Sequence, residues 1–482
     1  MADSNGSETS IQAAIEFLEL WRSRGLWFLL HIFLAQYLKQ WGNIIGPILA
    51  NDLAIFESYA HRIRYLYIDG EDIPITSYIQ VLAVCQRSYL LPQLRYLHIT
   101  GTDVVDTTFI ISPSLQGLYT EISCEDEGGI FHPNISAALN MIPHMAPTLR
   151  HLDVSHFLPP HCLSTVLEMR QLRTLSLDHC SDVKEHCIHI PCNRLIDLLS
   201  FPNLLDFKLV GNIILSPNEN STWSPVELTS LKILTLEPRS SDLANVEGLF
   251  RQARFPELEE LELRLSPTSN PVRSDAKYWS LFCSSLLDSA TSNLHGVRIS
   301  ASGGMETRKW AGLELTLEDL SGLFELDLVE FTTIGILHAI SENDIVKLAG
   351  SWNRLQRLEI RTCRSPKLDF AALVVIASKL PCLRHLSIEI DARKLTASAV
   401  PILKHRLHLL RLYRSPLKEP VVLAQSLDKI FPHLSEFSLI TSGSKASEVK
   451  PILRALQQAR RDHEKRLDCV SDVAFNKDEA QD

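Results

Sequence analysis

No stretch of this sequence is long and apolar enough to cross a bilayer. The densest, Leu26 to Leu38 (LWFLLHIFLAQYL), covers about 13 residues where a helical span needs about 20, and it contains His31 and Gln36. Asp3, Glu8, Glu16 and Glu19 precede it, the wrong charge for the start of a secretory signal. No membrane association is expected. The ten cysteines include no Cys-x-x-Cys pair and no even spacing, so neither a redox motif nor a disulfide framework is indicated. Reduced thiols and a cytoplasmic or nuclear location are expected, in which case the Asn-x-Ser/Thr matches at Asn5, Asn134 and Asn220 carry no meaning. A basic surplus is missing too: 47 Lys and Arg against 57 Asp and Glu leave a formal charge of -10 and no footprint for nucleic acid. There is no P-loop, G-x-G-x-x-G, G-x-S-x-G or H-E-x-x-H. The expectation is a chain that is not an enzyme and has no catalytic residues and no cofactor.

What the sequence does contain is repetition. Ser341 to Asp391 holds one unit twice: an amphipathic helix, a stop, then Leu-x-x-Leu-x-Ile. Ile345, Leu348, Ala349 and Trp352 fall on one helical face, and Ser341 with Asp344 three residues on makes a capping-box-like start. Leu355, Leu358 and Ile360 follow as a short strand. The second copy uses Leu373, Ile376, Ala377 and Leu380, then Leu383, Leu386 and Ile388. This is the pattern of a leucine-rich repeat. About fourteen units with that pattern begin at Ile63, Leu94, Leu115, Leu149, Leu172, Leu204, Leu231, Leu258, Leu294, Leu323, Leu355, Leu383, Leu407 and Leu434, on average about 28.5 residues apart. Leu115 and Leu294 are the weakest matches. Proline stands two residues before the leading leucine at Pro92, Pro147, Pro202, Pro256, Pro381 and Pro432, where it closes the preceding helix and leaves extended backbone for the strand.

The fold class predicted is α/β: a right-handed leucine-rich-repeat solenoid, or horseshoe, of about fourteen irregular repeats with an N-terminal helical cap. No unit can offset alone the entropy of ordering its own backbone, so each needs its neighbours. Residues 1–10 are expected to be disordered, 11–60 to form the cap, 61–442 the solenoid, 443–469 a C-terminal capping helix and 470–482 a disordered tail. In the capping helix Val449, Ile452, Leu453, Leu456 and Ala459 make the apolar face, with Arg454, Arg460 and Arg461 on the outer one. Loops with Pro217, Pro225 and Pro267 to Pro271 are candidate bulges from the solenoid.

Two places could carry function. His179, Cys180, His186, Cys187, His189 and Cys192 offer enough zinc ligands, but their spacing matches no standard finger. Cys180 is the ninth residue of its unit, where the repeat takes Asn or Cys, as at Asn212 and Cys363; no metal site is expected. The second place is the concave face, positions three, five and seven of each strand. Its candidate protein-binding residues are Tyr96, His98, His151, Asp153, Asp178, Asp206 and Lys208, then Glu260, Glu262, Arg264, Glu325 and Asp327, then Arg357, Glu359, Arg361, His385, Glu389, Arg411 and Tyr413. Charges of both signs fit an ordinary solvated sheet face. They also fit a protein-binding surface whose polarity changes from an acidic middle to later repeats that carry arginines.

The irregular repeats, the FP-x-L and LP-x-L junctions, SENDIVKLAGSWNRLQRLEI and FESYAHRIRYLYI resemble the fungal F-box/leucine-rich-repeat-like proteins over roughly residues 50 to 440. The resemblance implies repeats that receive a protein substrate and an N-terminal F-box that binds Skp1 within a cullin–RING ubiquitin ligase. An F-box opens with Leu-Pro and carries a Val-Cys-x-x-Trp-like segment. Residues 1–50 show neither, and Trp21, Trp27 and Trp41 stand in other contexts. That region is read as a degenerate or truncated F-box. Two descriptions follow: a substrate receptor for ubiquitin ligation, or a free-standing repeat scaffold or inhibitor-like binding protein with no Skp1 contact.

Overall fold

In a computed structural model, the structure describes residues 54, 57–69, 89–100, 110–121, 133–155, 162–179, 188–216, 225–238, 243–265, 276–290, 293–301, 315–363, 368–393, 395, 400–440 and 446–478. The expected N-terminal cap lies outside these, apart from residues 54 and 57–60, which are helical. The chain divides into two compact units, Met1–Pro238 and Arg239–Asp482.

The strands of the first unit are β1 (Tyr65–Asp69), β2 (Tyr96–Thr100), β3 (Gly117–Glu121), β4 (His151–Ser155), β5 (Thr174–His179), β6 (Ile188–Pro191), β7 (Asp206–Ser216), β8 (Val226–Glu227) and β9 (Ile233–Pro238). Its helices are α1 (Pro133–Met145), α2 (Cys162–Val166) and α3 (Cys192–Leu199). The sheet runs β1-β2-β3-β4-β5-β7-β9, all parallel, with β6 on the far half of β7. Register is one-to-one: Tyr65 opposes Tyr96, which opposes Gly117, then His151, Thr174 and Asp206. Parallel neighbours in sequence order require a crossover for every strand. On the covered face the alternate strand residues Leu97, Ile99, Leu152, Val154, Leu175 and Leu177 are buried together with Leu139, Ile142, Leu195 and Leu198 of the helices.

The second unit adds β10 (Ala253–Arg254), β11 (Glu260–Leu265), β12 (Gly296–Ala301), β13 (Glu330–Leu337), β14 (Arg357–Thr362), β15 (His385–Ile388), β16 (Leu409–Tyr413) and β17 (Glu436–Ile440). Its helices are α4 (Leu243–Gln252), α5 (Ala276–Ser289), α6 (Glu342–Ser351), α7 (Ala371–Lys379), α8 (Pro420–Ile430) and α9 (Ala446–Asp478), with a 3-10 segment at Glu318–Glu325. From β11 to β17 the strands are again parallel and in sequence order. The aromatic residues Trp279, Phe282, Phe331, Trp352 and Phe431 fill the space between sheet and helices and are fully buried.

One local device sets the strand phase in both units. The leading leucine donates its N–H to the carbonyl three residues back: Leu94 to Leu91, Leu149 to Ala146, Leu204 to Phe201, Leu258 to Phe255, Leu383 to Leu380 and Leu434 to Phe431, at 3.1–3.3 Å. The six phased prolines each occupy the second position of such a turn, where a fixed φ is already correct. They therefore shape the turn into the strand as well as ending the helix.

Three expectations are corrected. The unit expected at Leu323 begins at Leu328, because Glu330 of β13 pairs with Gly296 and Arg357. Asp319 accepts bonds from the N–H and hydroxyl of Thr316, starting a helical turn that buries Leu320 and Leu323. The Trp352 indole N–H then bonds to the Leu323 carbonyl at 3.1 Å. Glu325 and Asp327 are thus not on a strand face. The C-terminal helix, expected to stop at 469 and give way to a disordered tail, continues to Asp478; residues 454–478 are rich in Arg, Gln, Glu, Lys and Ala, all strong helix formers. Arg460, placed on the outer face of that helix, instead turns inward to Asp428 of α8 at 2.5 Å and to the Pro432 carbonyl.

Candidate binding faces

Each sheet has a second face formed by positions three, five and seven of the strands. In the first unit Tyr96, His98, His151, Asp153, Asp178, Asp206 and Lys208 all lie on it, in adjacent registered rows. The row Tyr67, His98, Tyr119 is aromatic, with ring centroids 5.0 Å and then 6.0 Å apart. Tyr96 and His151 stand 6.4 Å apart across β3. That approach is possible because Gly117 lies between them. A Cβ on Gly117 would come within 2.6 Å of the Tyr96 ring and 3.1 Å of the Tyr119 ring. The charged residues here are partly compensated: Lys208 Nζ is 3.2 Å from Asp178 Oδ2. Burial raises the Asp153 carboxyl above its usual range, against the pull of the Ser176 hydroxyl and the Lys208 ammonium. Burial also raises the Tyr119 phenol, with Tyr96 and Asp153 adding to it. His151 is pushed the other way, down, by burial first and then by the Arg173 and Arg150 guanidiniums.

In the second unit Glu260, Glu262 and Arg264 lie on β11, Arg357, Glu359 and Arg361 on β14, His385 on β15, Arg411 and Tyr413 on β16, and Glu389 one residue beyond β15. The arginines of this face mostly pair with its carboxylates. Arg264 is 2.9 Å and Arg298 3.7 Å from Glu262, and Arg357 is 4.0 Å from Glu330. Glu359 and Glu389, expected on an exposed face, are buried. Arg361 lies 2.5 Å from Glu359, donates to the Tyr413 hydroxyl at 2.6 Å and stacks 3.6 Å above that ring. Glu389 accepts from the Thr362 hydroxyl at 2.7 Å and from Arg414 Nε at 2.8 Å. Arg414 takes a left-handed φ of 43°, rare for a residue with a side chain, and also bonds to the Thr362 carbonyl. Four charges closed on one another in this way hold β14, β15 and β16 in register.

Reading for candidates down single strands missed residues that form rows across strands. Tyr65, Tyr67 and Tyr119 sit at positions three and five of their units and complete the aromatic patch. A second row is at position two, just before the strands: Arg64, Arg95, Gln116, Arg150 and Arg173. Here the backbone ladder already runs, Arg95 to Arg64, Gln116 to Arg95, Arg150 to Gln116 and Arg173 to Arg150, at 2.6–2.8 Å. The written signal is the recurring IRYL, LRYL, LRHL and LRTL at Ile63, Leu94, Leu149 and Leu172.

Of the histidine- and cysteine-rich stretch, Cys180, His186 and Cys187 lie outside the described residues. His179 ends β5, His189 is in β6, and Cys192 opens α3, where burial raises its thiol. No group of three or more His, Cys, Asp or Glu among the described residues is placed to hold a metal ion. No helix among them is long and apolar enough to cross a membrane.

No protein-family profile matches the chain, and no curated protein does. Among solved structures it is similar to the crystal structure of the Rad7 and Elc1 complex in yeast, at 15% identity over 85% of this chain and 98% of the matched chain, with a TM-score of 0.40. A likeness of that order assigns this chain no partner and no activity.

Proposed function

We propose that the chain is a non-catalytic leucine-rich-repeat solenoid whose open sheet faces bind a partner protein, in the manner of the substrate-recognition subunits of Skp1–cullin–F-box ubiquitin ligases. The observation that supports this best is the first unit's face. Five rings from four successive strands, Tyr67, Tyr96, His98, Tyr119 and His151, are held in contact by strand register and by Gly117, and Tyr65 beside them is 46% exposed. Aromatic side chains already fixed by their scaffold lose little entropy on binding, and Tyr and Arg are the residues on which interfaces concentrate their energy. The test is affinity enrichment on the full chain with quantitative mass spectrometry, using Tyr96→Ala/Tyr119→Ala and, separately, Val421→Ser on the exposed side of α8. Proteins lost with the tyrosine variant and kept with Val421→Ser support the reading. A set of captured proteins that ignores the face variants removes it.

The contact with Skp1 is separable from that reading. From sequence alone, residues 11–50 are expected to form two helices whose Trp27, Leu30, Phe33 and Leu34 cover the first repeat. A tight Skp1 complex is therefore not expected. A submicromolar complex of full chain and Skp1, abolished by deleting residues 11–50, restores the ligase receptor; partner binding without Skp1 leaves the free-standing scaffold.

A further inference from the structure

In the position-two row of the first unit, Arg64 donates to the His61 carbonyl, whereas the guanidiniums of Arg95, Arg150 and Arg173 pair with no carboxylate among the described residues. All three are exposed. On the second unit's face most arginines are paired: Arg264, Arg298, Arg357 and Arg361 each meet a carboxylate, and Arg411 is the exception among those named. Arg150 and Arg173 are direct neighbours in the ladder, the N–H of Arg173 bonding to the Arg150 carbonyl at 2.6 Å. Like charges set side by side on adjacent strands cost stability. Each of the three arginines immediately precedes the first open-face residue of its strand, Tyr96, His151 and Thr174, and the guanidiniums of Arg173 and Arg150 add to burial in depressing the His151 imidazole. The row thus borders Tyr96 and His151; of the carboxylates of the face, Asp153, Asp178 and Glu121 lie further along the strands, and Asp206 stands past the end of the row, on β7 beside Thr174.

Resting on the protein-binding reading above, we propose that this rim docks an acidic segment of the partner protein. The segment crosses β2 to β5 with its carboxylates on Arg95, Arg150 and Arg173, and its apolar side chains lie on Tyr96 and His151. Guanidinium forks match carboxylates bidentately, and the adjoining rings supply the apolar contact that charge alone lacks. A nucleic-acid strand fits less well, because the Asp153, Asp178 and Glu121 side of the same face repels a polyanion.

The probe is a fluorescein-labelled dodecapeptide of alternating glutamate and leucine, titrated with the full chain by anisotropy beside its lysine–leucine counterpart and a twelve-residue oligothymidine. The glutamate peptide should bind best. Arg150→Gln/Arg173→Gln should weaken it about tenfold, and 0.5 M salt should weaken it similarly. Arg454→Gln/Arg461→Gln, which changes net charge equally at exposed sites on α9, should change it less than about twofold. Gly117→Ala, which must displace the Tyr96 ring without removing a charge, should also weaken it. Melting temperature should hold or rise in Arg150→Gln/Arg173→Gln, since a repulsion is relieved. Equal loss in both double variants, stronger binding of the lysine peptide or the oligothymidine, or a large drop in melting temperature overturns the proposal. If the enriched proteins of the previous test survive Arg150→Gln/Arg173→Gln but not the tyrosine variant, the acidic segment falls and the protein-binding reading stands.

Discussion

His405 stands where other units of the fold have a helix. The described residues between β15 and β16, from Glu389 to Arg393, Leu395 and Val400 to His408, contain none, and the imidazole takes over part of the helix's work. Its Nε2 is 2.8 Å from the carbonyl of Leu380, the C-cap of α7, and its ring meets Phe431 edge-on at 5.6 Å. A bond to a carbonyl requires Nε2–H, which fixes the tautomer of the neutral ring, and Nδ1 has no partner among the described residues. Burial depresses this imidazole below its ordinary 6.5, outweighing the carbonyl, which favours the proton. Below 6.5 the unfolded chain takes up a proton that the folded chain refuses, so this contribution to stability is present above that pH and is lost as pH falls toward the folded value. His405→Gln should lower stability by about 1–2 kcal/mol at pH 8, and the gap should narrow toward pH 5 in urea titrations. A gap that stays constant with pH would sink this account. Asp153 acts with the opposite sign and lower in pH: its carboxyl is raised above 3.8, so its contribution favours the fold in acid and is lost as pH rises through the folded value.

Helix starts decide much of what could be read in advance, and α6 shows it. Ser341 accepts from the Asp344 N–H at 3.2 Å, and Asp344 accepts from the Ser341 N–H at 2.8 Å, the reciprocal box that the S-E-N-D spelling predicts. Ser341→Ala should cost about 1 kcal/mol, measured as earlier hydrogen exchange in α6. An undisturbed helix would mean that packing of Ile345 and Leu348 alone fixes it. The same chemistry misled at Leu323. Thr316 and Asp319 make only half of such a box, Asp319 accepting from the N–H and hydroxyl of Thr316. Leu323, Leu326 and Leu328 also spell a strand, while the true strand reads Phe331, Thr333 and carries threonine inside. Pattern alone could not rank a good leucine spacing against a cap three residues long. The choice came from tertiary packing. Gly322 approaches α5 so closely that a Cβ would lie 2.8 Å from the Cys283 Cβ. Gly322→Val should therefore destabilise by about 1–3 kcal/mol, and equal melting of variant and parent would show that this approach is loose.

At the scale of the whole molecule, the leucine and proline phases made the parallel order of strands legible, because both are local: a turn of four residues and alternation along a strand. The face chemistry was less so, because it exists only after register stacks unrelated positions into rows. Arg95, Arg150 and Arg173 are far apart in the chain, and Glu359 and Glu389 become buried only when Arg361 and Arg414 close on them. Such stacking also predicts how damage spreads. In a stacked array each strand draws its stability from the two beside it, so a lesion should fade with distance instead of unfolding everything at once. Leu358 is fully buried in β14, between Phe331 of β13 and Leu386 of β15. Leu358→Asp leaves an unpaired carboxylate there, at a cost of several kcal/mol. Arg357, the preceding residue, points to the other face, where its 4.0 Å pair with Glu330 is worth about 0.5 kcal/mol or less. Hydrogen exchange on Leu358→Asp should show protection lost most in β13, β14 and β15 and progressively less toward β11 and β17, while Arg357→Ala keeps the parent pattern. Uniform loss across β11–β17 would make the second unit a single cooperative body, and equal loss in the two variants would contradict the strand register itself.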